Sequence, residues 1–133
     1  MIKQFFIVTL LLTLVSQSSL AGCGMATLYY VPFSIEEYVP GGFTDTNIKS
    51  KAAEKWAITN PVRIKKLLKI LRTGRAHAYD DGLTRALLDC GKDQFFINKD
   101  GQVRADGISI KIDLKAFLMF HDGLLPEERV AMD

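Results

Sequence analysis

With 133 residues, the chain is long enough for one domain around one core and too short for two. Its 17 basic and 15 acidic residues give a formal net charge of +2, and neither a Gly-rich phosphate loop nor a GxSxG elbow occurs, which excludes the enzyme classes built on those motifs. Two cysteines and two histidines, His77 and His121, with no HExxH or related spacing, supply neither a metal centre nor a cofactor motif.

Taken in chain order, the first feature is Met1–Gln4, with one positive charge at Lys3, followed by the apolar run Phe5–Val15, FFIVTLLLTLV. A membrane-spanning helix needs about 20 apolar residues. The shorter run, its basic start and its small-residue end read as a secretory signal over residues 1–22. Ser19-x-Ala21 fits ordinary cleavage. Leu20-Ala21-Gly22-Cys23 resembles the lipobox of bacterial lipoproteins. That resemblance implies a lipid on the Cys23 sulfur and cleavage just ahead of it. Residues 23–133 would then be a single domain held to a membrane of the bacterial cell envelope, facing the periplasm or the exterior. Ordinary secretion would instead leave Cys23 and Cys90 free to form a disulfide, worth roughly 4 kcal/mol in the chain-entropy model. In the lipidated form Cys90, within TRALLDC, reads as a small buried hydrophobe.

The segment TLYYVPFSIEEYVP, residues 27–40, has strand composition. Pro32 interrupts it, so it reads as an edge strand or two short extended pieces, and Pro40-Gly41-Gly42 forces a turn. Thr44 or Thr46 can cap a first helix through Ile48, Ala52 and Trp56, which fall at spacings of four. Asn60-Pro61 opens a second helix. There Ile64, Leu67, Leu68 and Leu71 form one face, and Gly74 supplies a left-handed stop.

Beyond Tyr79-Asp80-Asp81-Gly82 the period changes to two, and LTRALLDC, QFFIN, QVRA and ISIKID read as strands. The last of these points Ile108, Ile110 and Ile112 inward. Asn98-Lys99-Asp100-Gly101 and Asp106-Gly107 supply turns. Asp113 caps a final helix with Leu114, Phe117, Leu118 and His121 on one face. The order β-α-α-β-β-β-α predicts an α+β domain with a small antiparallel sheet of about four strands and three helices, covered on one face.

Asp-Gly recurs at 81–82, 100–101, 106–107 and 122–123, but FFINKDGQVRADG fails as a calcium loop. With Asp100-Gly101 in register, Phe96 takes the first ligand position and Gly107 the place of the bidentate glutamate. No metal and no cofactor are therefore expected. Lys49–Arg75 holds nine basic residues and one acid, Glu54, whereas Ala76–Asp133 holds seven basic and eleven acidic residues. Lys65, Lys69 and Arg72 share a helix face suited to an acidic protein partner or an anionic surface. Nucleic acid is not the expected partner, because the export signal removes the chain from the cytoplasm and no aromatic platform interleaves with these cations. Tyr29 and Tyr30, with Phe33, Tyr38 and Phe43 nearby, form a second candidate surface.

No catalytic spacing emerges. The expectation is a non-enzymatic binding or inhibitory module, immunity-like or an envelope accessory, held at the membrane and open to a protein partner. The alternative is a small exported hydrolase acting on envelope polymers through carboxylates or a Cys90-His pair.

Overall fold

Alternation decides the first element. Ala26, Leu28 and Tyr30 are buried while Thr27 and Tyr29 between them are half-exposed, giving strand β1, Ala26–Tyr30. The computed structural model describes residues 23–34 and 42–132. The signal and cleavage expectations of residues 1–22, like Tyr38, lie outside the described residues.

After β1 come a single helical turn, α1 (Ile48–Lys51), strand β2 (Glu54–Ile58), helix α2 (Pro61–Arg72) and strand β3 (Gly74–Ala76). Then follow β4 (Thr84–Asp89), β5 (Gln94–Asn98), β6 (Gln102–Ala105), β7 (Ile108–Ile112), helix α3 (Leu114–Asp122) and a 3-10 turn at Pro126–Glu128. All seven strands join one sheet in the order β2-β1-β4-β5-β6-β7-β3, with antiparallel pairing throughout.

Helix α2 follows one edge strand and precedes the other, so it crosses the sheet. Its start is fixed by Asn60, whose Oδ1 accepts from the N–H of Val62 at 2.9 Å and of Arg63 at 3.3 Å, while Pro61 fills a position whose N–H would have no partner. Ile64, Leu67, Leu68 and Leu71 are all buried, each worth roughly 1.5–3 kcal/mol on leaving water. Helix α3, capped by Asp113 accepting from Ala116 N–H at 3.2 Å, runs back toward β1 and β2, burying Phe117 and Phe120. These helices meet Leu28, Ile58, Leu88, Phe95, Ile97, Val103 and Ile112 from the sheet in the main core. A smaller cluster of Val31, Phe43, Ile48 and Leu87 covers part of the opposite face. No described helix is long and apolar enough to cross a membrane.

Several expectations need correction. The sheet has seven strands rather than about four. The first helix shrinks to α1 because residues 54–58 pair with β1 along their whole length, Tyr30 opposite Glu54 and Ala26 opposite Ile58. The spacing of Ala52 and Trp56 fits a helix, but Trp56 and Ile58 are buried with a strand's period of two, and sheet pairing overrides the local pattern. Strand β1 is interior, between β2 and β4, and Pro32 lies just past its end.

Gly74 is not a left-handed stop. It begins β3, and a Cβ there would collide with the Lys111 carbonyl oxygen, so glycine is needed for close approach. The helix instead ends at Thr73, whose hydroxyl donates to Lys69 O at 2.6 Å. Along β7, Ile112 is buried and Ile110 half-buried, but Ile108 is 68% exposed. It shares their face, yet α2 leaves it uncovered.

Candidate functional site

The exposed β7 isoleucine marks a site. Beside the last turn of α2, Leu71, Phe95, Val103, Ala105, Ile108 and Ile110 line a hollow of about 270 Å³, with Arg72 and Asp106 at its rim. The hollow exists because, among the described residues, two long helices cover seven strands, and α2 gives way to β3 before reaching the β6–β7 hairpin. Asp106 and Gly107 both have positive φ, the tight hairpin for which Asp-Gly is suited.

One cation, Arg72, stands at the rim of this hollow, at the end of a basic helix. Pro61–Ala76 contains six basic residues and no acid, and Lys65 and Lys69 are exposed on α2. Arg72 lies with its guanidinium 5.4 Å from the Phe95 ring centroid and 3.9 Å from the Asp93 carboxylate. Of the three basic residues singled out in the sequence, Arg72 borders the hollow, and Lys65 and Lys69 stand exposed on the preceding turns of α2.

Tyr29 and Tyr30 separate. Tyr30 is 5% exposed in the main core, because successive strand residues address opposite faces. Tyr29 lies on the other face, with the ammonium groups of Lys49 and Lys55 at 5.8 and 5.6 Å from its ring centroid. Cross-strand register there runs Lys55, Tyr29, Leu87, Phe96, Arg104, with Ile48 and Phe43 packed over Leu87. Lys49 also binds Asp89 at 3.0 Å. Burial alone would raise the Asp89 carboxyl, but the Gly91 N–H, Lys49 and Gln94 outweigh it and hold it below the usual range.

Arg104 is fixed on that face. Its guanidinium pairs with Asp45 and lies 4.8 Å from the Tyr79 ring centroid. Asp45 in turn accepts from Thr84 Oγ1 at 3.2 Å, and Tyr79 and Thr84 hydroxyls share a 2.6 Å hydrogen bond. Burial is the main reason that the Tyr79 phenol is pushed up to about 12.

The histidines do not converge on Cys90. His77 follows β3 and is exposed, its Nδ1 2.9 Å from Ala78 O. His121 Nε2 lies 2.9 Å from Glu54 Oε1, which also accepts from Trp56 Nε1 at 2.9 Å. Arg129 from the C-terminal segment stands 3.9 Å from the same carboxylate. Beneath this group Tyr30 is raised to about 12, chiefly by burial and then by Glu54. The cluster joins β1, β2, α3 and the C-terminal segment. None of its residues lines either of the two hollows described here. No group of three or more potential metal ligands occurs among the described residues.

Comparison of the chain with family models, curated proteins and solved structures returned no match.

Cys23 and Cys90 form a disulfide across a sequence separation of 67. A sulfur in a disulfide carries no thioether, so the structure depicts the bridged fate of Cys23 and not the lipidated one. It also leaves Cys90 no thiol for a Cys-His nucleophile. The Glu54–Trp56–His121 group and the Asp45–Arg104 pair were not singled out in the sequence. The first is masked by the helical spacing of Ile48, Ala52 and Trp56, and the second needs tertiary pairing between residues 59 positions apart.

Proposed function

We propose that the chain is an exported bacterial envelope module that works by binding, capturing or inhibiting an acidic protein partner along α2. The observation that carries this reading is the joint presence of core-facing but uncovered Ile108, the apolar hollow below it, and a helix that ends at the hollow's rim with Arg72 and carries cations and no acids along its length. An apolar side chain of the partner would complete the core layer over Ile108 and Ile110, and neighbouring carboxylates would meet Lys65, Lys69 and Arg72. Apolar burial supplies affinity, and the charges steer encounter and set register. Export is supported by the signal-like residues 1–22 and by the disulfide, since such bridges persist in oxidising compartments. A lipid on Cys23 would belong to a chain without the bridge.

A defined probe tests the reading. A labelled peptide with leucine and glutamate at helical spacing should bind the wild type with marked salt dependence. Ile108→Ser, or the Lys65→Glu/Lys69→Glu/Arg72→Glu triple variant, should weaken binding about tenfold or more, the loss of at least one good contact. Unchanged binding by variants with native circular dichroism would overturn it.

A further inference from the structure

The sheet face opposite the α2 groove holds a second hollow, of about 450 Å³, lined by Lys92, Gln94, Phe96, Arg104, Asp106 and their neighbours. We propose that it is a small-molecule site for a carboxylate borne on a hydroxylated ring. The two hollows share Ala105 and Asp106 at the β6–β7 hairpin, but Lys92, Phe96 and Arg104, which carry this inference, do not line the α2 groove.

The volume lies within the roughly 300–1,000 Å³ usual for ligand sites, and the lining divides by chemistry. Phe96 is half-buried and offers a flat apolar floor. Arg104 is held before any ligand arrives: Asp45 pairs with it, Tyr79 lies under it, and Phe96 stands 6.0 Å away. A guanidinium has five N–H donors in a planar fork, so the Asp45 pairing leaves donors for a ligand carboxylate, while its ordering cost is already met by the fold.

Lys92, at the β4–β5 turn, forms no ion pair with a described residue and adds a second cation. Asp106 and the Gln94 side chain bring acceptors to the same hollow, matching hydroxyl groups on a ring. The Asp106 charge also disfavours a bare or multiply charged anion. The pattern selects one carboxylate, one flat body and hydroxyls around it, a chemistry shared by phenolic acids and sugar acids.

The test is an amide-resonance titration of the protein with para-hydroxybenzoate and with glucuronate, the aromatic and the sugar source of that chemistry. Phenol, glucose and acetate each lack one part and serve as comparisons. Saturable shifts at Gln94, Phe96, Arg104 and Gly107 are expected with at least one ring carboxylate, and the stronger of the two names the source. Lys92→Ala should weaken binding about tenfold, as expected for one charge-assisted hydrogen bond. Phe96→Leu should weaken it while leaving the backbone spectrum elsewhere unchanged. Absence of these shifts, equal binding of phenol, glucose or acetate, or an unaffected Lys92→Ala variant would each overturn the proposal.

Discussion

The imidazole of His121 lies face to face with the phenol ring of Tyr30, their centroids 3.6 Å apart and their planes 11° from parallel. Together with the Glu54 hydrogen bond, this stack ties the end of α3 to β1 and β2. His121→Ala removes the stack and the contact to a charged acceptor, and about 2 kcal/mol of stability should be lost. Chemical denaturation measures it. A loss below about 0.5 kcal/mol, the range of ordinary surface changes, would show that the cluster does not hold these elements together.

Tyr30 and Tyr79 are both raised to about 12, mainly by burial. The neutral phenol is favoured in the folded state, so this stabilisation is intact below the unfolded value of about 10 and is lost as pH rises through the folded value. Ultraviolet titration of the phenolate band should show a late component that diminishes in Tyr30→Phe and again in Tyr79→Phe. A titration completed near pH 10, the ordinary phenol value, would contradict this.

Burial along the sheet orders the core substitutions. Ile97 is fully buried on β5 while Ile110 is half-buried on β7. Ile97→Ala should cost about 3–4 kcal/mol, and Ile110→Ala distinctly less, because little cavity forms where the side chain already borders the hollow. Equal costs in denaturant unfolding would mean that α2 covers β7 more fully than described.

These isoleucines also show what could be read from local pattern. The strand at β7, the Asn60 and Asp113 caps and the stripe Ile64-Leu67-Leu68-Leu71 depend on neighbours close in sequence, and they are present in the fold. Which strand face a helix leaves bare depends on where α2 crosses, and no local period encodes that; hence Ile108 was expected inside. β3 has three residues and no apolar alternation, and it exists because β7 offers an edge that Gly74 can approach. Among the candidate residues, the exposed positions of Lys65 and Lys69 followed from helical spacing. Strand alternation puts Tyr29 and Tyr30 on opposite faces, so the single surface expected of them does not form. The apolar hollow beside Arg72 required the assembled sheet.

The two fates of the Cys23 sulfur differ in mass. In the exported chain both cysteines should resist alkylation until reduced, and Cys90→Ser should cost about 2–4 kcal/mol through loss of the long loop closure. Intact-mass analysis before and after reduction decides it. Acyl groups on Cys23, or a free Cys90 thiol before reduction, would contradict the bridge.

The central claim is that a partner docks at the uncovered end of α2, and site-specific photo-crosslinking tests it most directly. Ile108 and Met119 are comparably exposed, at 68% and 64%, but only Ile108 borders the apolar hollow. With the crosslinking residue at Ile108, cells that make the protein should yield one discrete protein adduct, weakened by the Lys65→Glu/Lys69→Glu/Arg72→Glu variant. The same residue at Met119 should not yield that adduct. No adduct at Ile108, the same adduct from both positions, or an adduct indifferent to the charge reversal would contradict the account.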